Sequence, residues 1–204
     1  LLAGDWSKAP DFCNLQYNAV AAGLVLTNSW DIWGWSKNTM LYIKPTTLRA
    51  AELGYAILCS KANVQRVVNE FYVKYKTLVA SYQAQGRYPM NAPVEIRVSG
   101  LDHPSEVVGV SGAPSPQLSA LRPRVDHPEW DCAVWLNMLT IPTTPYATNF
   151  YREMEQWILS NYASYAGVRV EWSKGWGYTN TAGWADSSII GNTIPNSLRI
   201  GQPA

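Results

Sequence analysis

An α+β domain, with an antiparallel sheet carrying its helices on one face, is the fold this sequence predicts. Three observations lead there. Two strand–helix–strand segments stand in tandem within 204 residues. Each of the two helices shows an apolar stripe at helical spacing. The most clearly alternating strand keeps its charges on one side. Two such units in succession are the ferredoxin-like duplication, with the helices gathered on one side of the sheet.

The first unit reads as strand Tyr55 to Ser60, a helix over Asn63 to Gln83, and strand Val94 to Ser99. Val64, Val67, Val68, Phe71, Tyr75 and Leu78 recur at the spacing of one helical face. Asn63 is placed to cap that helix and Gly86 to stop it. The second unit reads as strand Ala133 to Thr140, a helix over Pro145 to Tyr162, and strand Val168 to Trp172. Thr144 followed by Pro145 has the form of an N-cap with proline at the first helical position. Phe150, Met154, Trp157 and Ile158 supply the apolar face. Between the units, Gly109 to Pro128 is rich in Pro, Ser and Gly and reads as a long surface loop. Asn28 to Thr39 interleaves Trp30, Trp33 and Trp35 with Gly34, which suits an ordered aromatic loop better than a strand.

Composition narrows the function. Sixteen Lys and Arg against 15 Asp and Glu leave a net charge of +1, with no field to gather nucleic acid or an anionic membrane. Charged residues are only 15% of the chain, while Trp and Tyr number 10 and 12. These aromatics join an apolar body to a polar tip, so they suit wet-edged clefts and interfaces as well as a filled core. The longest apolar run, Ala19 to Leu26, is too short to span a bilayer. Cys13, Cys59 and Cys132 lack zinc spacing, and Cys59 and Cys132 read as small core residues. His103 and His127 each precede a proline and read as exposed loop residues. No phosphate-binding glycine loop, nucleophile elbow or HExxH is present. A start at Leu1, with no Met, reads as a piece of a longer protein.

Three local patterns carry chemistry. In Glu95-Ile96-Arg97 the two charges lie two apart on a strand, so they share a face opposite Val94, Ile96 and Val98. A solvated surface pair is the plain alternative to a working pair. Asn137 is an amide inside the apolar strand Ala133 to Leu139. If buried it needs a partner, either backbone, a ligand hydroxyl or a cofactor. Lys174, within Glu171-Trp172-Ser173-Lys174-Gly175-Trp176, brings a cation to a turn between indoles, where a cation–π contact is the simpler reading.

Four blocks, in order, resemble one family. They are Trp33-Gly34-Trp35-Ser36-Lys37 with Tyr42-Ile43-Lys44-Pro45, then Tyr88-Pro89-Met90-Asn91 through Val94-Glu95-Ile96-Arg97-Val98, then Phe150-Tyr151-Arg152-Glu153, and finally Trp172-Ser173-Lys174-Gly175-Trp176. The sequence is similar to the substrate-binding (cap) domain of cholesterol oxidases with covalently attached FAD, within the vanillyl-alcohol-oxidase flavoprotein superfamily. Aldonolactone and alditol oxidases share a Glu-x-Arg strand with it. The resemblance implies that residues 1–204 are a cap lacking its FAD-binding domain. It implies oxidation of a sterol 3β-hydroxyl to a ketone in the full-length protein, with oxygen reduced to peroxide. The cofactor implied is FAD; the partners are the sterol and the FAD-binding domain of the same protein; the location is secreted. Glu95 is then the expected proton acceptor and Arg97 the cation facing substrate and flavin. Asn137 is expected to bind the substrate oxygen or hold Glu95, and Lys174 to approach the flavin edge. The fragment alone is expected to be colourless, inactive and prone to self-association. Two other readings compete: a sugar-alcohol or lactone oxidase with a small polar pocket, and a carbohydrate-binding module, which the long helix Asn63 to Gln83 disfavours.

Overall fold

The computed structural model describes residues 1, 3–27, 50–106, 109, 111–114, 118–178 and 186–199. The aromatic loop at Asn28 to Thr39, the block around Tyr42 and parts of the Gly109 to Pro128 segment lie outside the described residues. Four strands form one antiparallel sheet: β1 (Ala51–Cys59), β2 (Val94–Gly100), β3 (Cys132–Thr140) and β4 (Gly167–Val170). Their order is β2-β3-β1-β4, with every neighbouring pair antiparallel. Helix α2 (Val64–Gln83) joins β1 to β2, and α3 (Ala147–Asn161) joins β3 to β4. The connectivity is therefore strand–helix–strand twice over. α1 (Ala9–Thr27) precedes the sheet, and the short α4 (Ile194–Arg199) follows it.

Strand periodicity divides the sheet into two unlike faces. Leu53, Tyr55 and Ile57 of β1 and Val134, Leu136 and Met138 of β3 meet Val67 and Phe71 of α2 and Phe150, Met154 and Ile158 of α3. All these residues are buried. Full burial of each large apolar side chain contributes about 1.5–3 kcal/mol, so this layer holds the helices to the sheet. Val94, Ile96 and Val98 point to the same side. The helices leave the edge strand partly bare, with Ile96 and Val98 exposed. The opposite face carries Glu95, Arg97 and Asn137.

Several expectations need correction. Asn63 sits at the N-cap position of α2 but makes no capping bond. A 3-10 turn over Lys61–Asn63 already winds the chain, and the Lys61 amide is held by Asp131 Oδ1 at 2.7 Å. Thr144 does not cap α3. Its hydroxyl donates to the Ile141 carbonyl at 2.6 Å and accepts from Asn91 Nδ2 at 3.0 Å. Thr143 and Tyr146 take positive φ values of 69° and 65°, so the chain turns sharply and the helix starts only at Ala147. α1 had no counterpart in the sequence reading. Its apolar residues are spread around the helix, which leaves no stripe to detect. The region between β2 and β3 is more than a surface loop. Ala120 and Trp130 from it pack with Leu101 on Ala56, Leu58 and Ala133, covering one end of that second face. Cys59 and Cys132 are buried free thiols opposite one another across β1 and β3, as expected of core residues.

Candidate functional site

Strand register builds the site as a single row across the sheet. Glu95 of β2 stands opposite Asn137 of β3, and Asn137 opposite Gly54 of β1. The Glu171 amide, just past the end of β4, donates to the Gly54 carbonyl at 3.2 Å. Residues at matching register on one face of a pleated sheet lie within side-chain reach. Arg97, one step along β2, reaches back into the row. Its Nη2 donates to Asn137 Oδ1 and to Glu171 Oε1, each at 3.1 Å, and its Nε lies 3.4 Å from Glu95 Oε1. Asn137 Nδ2 donates to Glu171 Oε2 at 2.7 Å. The buried amide is thus satisfied at both ends by charged side chains.

Burial grades the row. Asn137 is inaccessible and Glu171 nearly so, whereas the side chains of Glu95 and Arg97 are 48% and 45% exposed. Arg97 therefore has an inner carboxylate holding it and an outer one facing solvent. Its guanidinium lies 5.6 Å from the ring centre of Trp135, whose indole N–H is fixed by Ser99 Oγ at 2.9 Å.

Gly54 makes the rest possible. Its carbonyl accepts from Glu171, and its own amide donates to the Gly175 carbonyl at 3.1 Å. Both polar groups of one strand residue are thereby taken by residues four apart, and Trp172, Ser173 and Lys174 loop out between them. Lys174 folds back over the glycine to pair with Glu52 Oε1, an ion pair off the ideal hydrogen-bond direction. A Cβ on Gly54 would stand 2.6 Å from Asn137 Nδ2 and 2.7 Å from Lys174 Cβ and Cγ. Burial pushes the Glu52 carboxyl above its ordinary range. Lys174 opposes that shift, while Glu171 and Glu95 reinforce it.

Glu95, Arg97, Asn137 and Lys174, the residues singled out from sequence, thus share one face. Sequence reasoning missed Glu171, Glu52 and Gly54. Glu171 could have been found, because the alternation of Val168 and Val170 with Arg169 puts it on the Arg97 face. Glu52 and Gly54 lay before the strand start expected at Tyr55. Chemically, three carboxylates and two cations surround an amide whose hydrogen-bonding groups are already used. Such a set can take up a proton, orient a hydroxyl and balance a developing negative charge. Among the described residues no cluster of His, Cys, Asp and Glu is placed to hold a metal. His127 stacks on Trp130 at 4.0 Å. Two clefts of about 370 and 330 Å3 flank α1, lined by Cys13, Tyr17 and Val94 and by Tyr75, Val79 and Met90. Neither is lined by a residue of the polar row.

A row of carboxylates, cations and an amide, half open on one sheet face, has the form of a substrate-binding surface. Comparison with known proteins agrees. The family described as cholesterol oxidase, substrate-binding, matches residues 1–204, and the chain belongs to it. A solved solvent-stable cholesterol oxidase superposes with a TM-score of 0.91 at 61% identity, covering 100% of this chain and 38% of that one. A cholesterol oxidase from Brevibacterium sterolicum superposes at 0.88 with 45% identity, covering 99% and 37%. No curated protein matched. The chain spans under two fifths of the length of these solved relatives.

Proposed function

We propose that this chain forms the substrate-binding part of an FAD-dependent oxidase that converts a sterol 3β-hydroxyl to a ketone, with oxygen reduced to hydrogen peroxide. The observation that carries this reading is the Glu95–Arg97–Asn137–Glu171 row, satisfied on its inner side and open on its outer side, within a chain so similar to cholesterol oxidases. The residues fit one end of the cofactor. Arg97, Lys174 and Trp135 offer cations and an aromatic face suited to the edge of an isoalloxazine ring. The row is made of strands and a turn and includes no helix N-terminus to hold a pyrophosphate. When bound, FAD supplies the hydride acceptor, chemistry no side chain here can provide.

The chain's own residues do the rest. Glu95 takes the hydroxyl proton at a carboxylate oxygen. Its exposure here means that the covering domain must provide the burial that makes it a better base. Arg97 keeps its proton and stabilises the charge left on the substrate oxygen. Glu171 and Asn137 hold Arg97, so the guanidinium stays in place when Glu95 turns to the substrate. The sterol and the flavin domain are the partners this assigns. A role in steroid metabolism and a secreted location follow from the family resemblance alone. Cell fractionation with a peptide antibody checks the location.

Single-turnover flavin reduction in the full-length protein tests the reading. Glu95→Gln is expected to slow reduction at least a hundredfold with little change in sterol affinity. An unchanged reduction rate removes Glu95 as the base. Faster turnover of a small polyol or an aldonolactone than of a sterol shifts the assignment to the sugar-alcohol oxidases.

A further inference from the structure

Glu155 is a carboxylate in the helix-side core, 2% exposed, on the face of α3 that packs against the sheet. Its near neighbours in sequence on that face, Tyr151, Met154 and Ile158, are all buried. A charged acceptor in such surroundings is costly unless it is fully used. It is: Oε2 accepts from the Tyr55 hydroxyl and from the Gly177 amide, each at 2.5 Å, and the Tyr178 amide also bears on the carboxylate. Gly177 has a φ of +70°, which side chains rarely adopt, and successive amides at such a turn form an anion-binding concavity. Here the anion is part of the chain. Burial pushes the Glu155 carboxyl up, and the three donors pull it partly back.

The segment so gripped is the one that carries Lys174. Other ties include the Gly54 amide to Gly175, the Tyr178 hydroxyl to the Glu52 carbonyl at 2.8 Å, and the Trp172 indole N–H to the Leu118 carbonyl at 2.6 Å. Glu155 supplies an anchor from the far side, one carboxylate oxygen on which a hydroxyl and a backbone amide converge. We propose that Glu155, from the opposite face of the sheet, is a positioning residue for Lys174: it pins the turn that lays Lys174 over Gly54 and against Glu52. The value of this to turnover rests on the flavin-edge role given to Lys174 above; the anchoring does not. A group displaced by about 1 Å in a reacting site can cost a hundredfold in rate.

The test uses the full-length protein. Glu155→Gln keeps the shape of the side chain and puts an NH2 donor in place of one carboxylate oxygen. Amide exchange over residues 172–178 should speed at least tenfold, and acylation of Lys174 by an amine-reactive reagent, followed by mass spectrometry, should rise several-fold. Flavin reduction should fall about tenfold at unchanged sterol affinity. Joined to Lys174→Met, the Gln change should add little further loss, since both act through one group. Tyr55→Phe, a milder change that keeps the carboxylate, should raise Lys174 labelling by less, and it serves if the Gln variant fails to fold. Unchanged exchange and labelling in both variants, or rate losses that multiply in the double variant, overturn the proposal. If Lys174→Met leaves flavin reduction untouched, the functional reading of Lys174 fails, and labelling still decides the anchor.

Discussion

Gly54→Ala is the sharpest probe of the row, because it adds one carbon where three chain segments converge. The new Cβ would lie 2.6 Å from Asn137 Nδ2 and 2.7 Å from Lys174 Cβ and Cγ, closer than real Cβ contacts come. Asn137 cannot retreat; it is wholly buried and bonded to Glu171 and Arg97. Lys174 can move only by leaving Glu52. Overpacking of this kind costs about 1–3 kcal/mol, and loss of one hydrogen bond to a charged group adds about 1.5–3. Alanine recovers roughly 0.4–1 kcal/mol by narrowing the unfolded ensemble. The net is a destabilisation of about 1.5–5.5 kcal/mol, a fall in melting temperature of roughly 3–20 °C for a domain of this size. Scanning calorimetry of the full-length protein, with single-turnover reduction on the same samples, reads both consequences. Reduction should suffer more than stability, since Asn137 and Lys174 are displaced together. A variant that melts within a degree of the parent and reduces its flavin at the parental rate would refute the claim that this hollow holds the site together.

Further consequences follow from other parts of the fold. Glu70 is held below the ordinary carboxylate range: burial raises it, but hydrogen bonds from Arg66, Tyr165 and Asn161 lower it further. A depressed folded pKa contributes stability that is present above the unfolded value and lost as pH falls through the folded one. Glu70→Gln should therefore lower the melting temperature at pH 7, and the gap from the parent should close in acid below about pH 4; a gap constant with pH contradicts the linkage. Asn91, wholly buried, receives the Ile141 amide and the Thr140 hydroxyl on Oδ1 and donates to Thr144. Asn91→Ala strands these groups and should cost about 2–4 kcal/mol, measured by calorimetry. Burial raises all three thiols, Cys59 to about 12. Alkylation mapped by mass spectrometry on native protein should mark Cys13 long before Cys59 or Cys132.

Much of the row was legible because strand geometry is rigid. Once Val94, Ile96 and Val98 were assigned to one side, Glu95 and Arg97 had to share the other. Asn137, odd-numbered in the partner strand beside apolar even positions, had to join them. The neighbourhood of Lys174 was harder. Its place depends on a glycine that shows no side-chain signal and on Glu52, three residues before the expected strand start. The cap of α3 misled because Thr-Pro has the form of a helix start, while Asn91, more than fifty residues upstream, claims the threonine hydroxyl instead. That competition is tertiary, and no window along the chain contains it. α1 went unseen because an apolar helix without a stripe looks like any apolar run.

The pairing of Gly54 with both Glu171 and Gly175 makes the chain leave the sheet and return to it at the same rung. The strand register on either side of that rung is set by other residue pairs, Tyr55 with Val170 and Leu53 with Met138 among them. The excursion that bears Lys174 is therefore a place where insertions or deletions need not shift strand register. In an engineered protein Trp172 is the natural position at which to alter what is accepted above the row, with Lys174 kept in its pairing with Glu52.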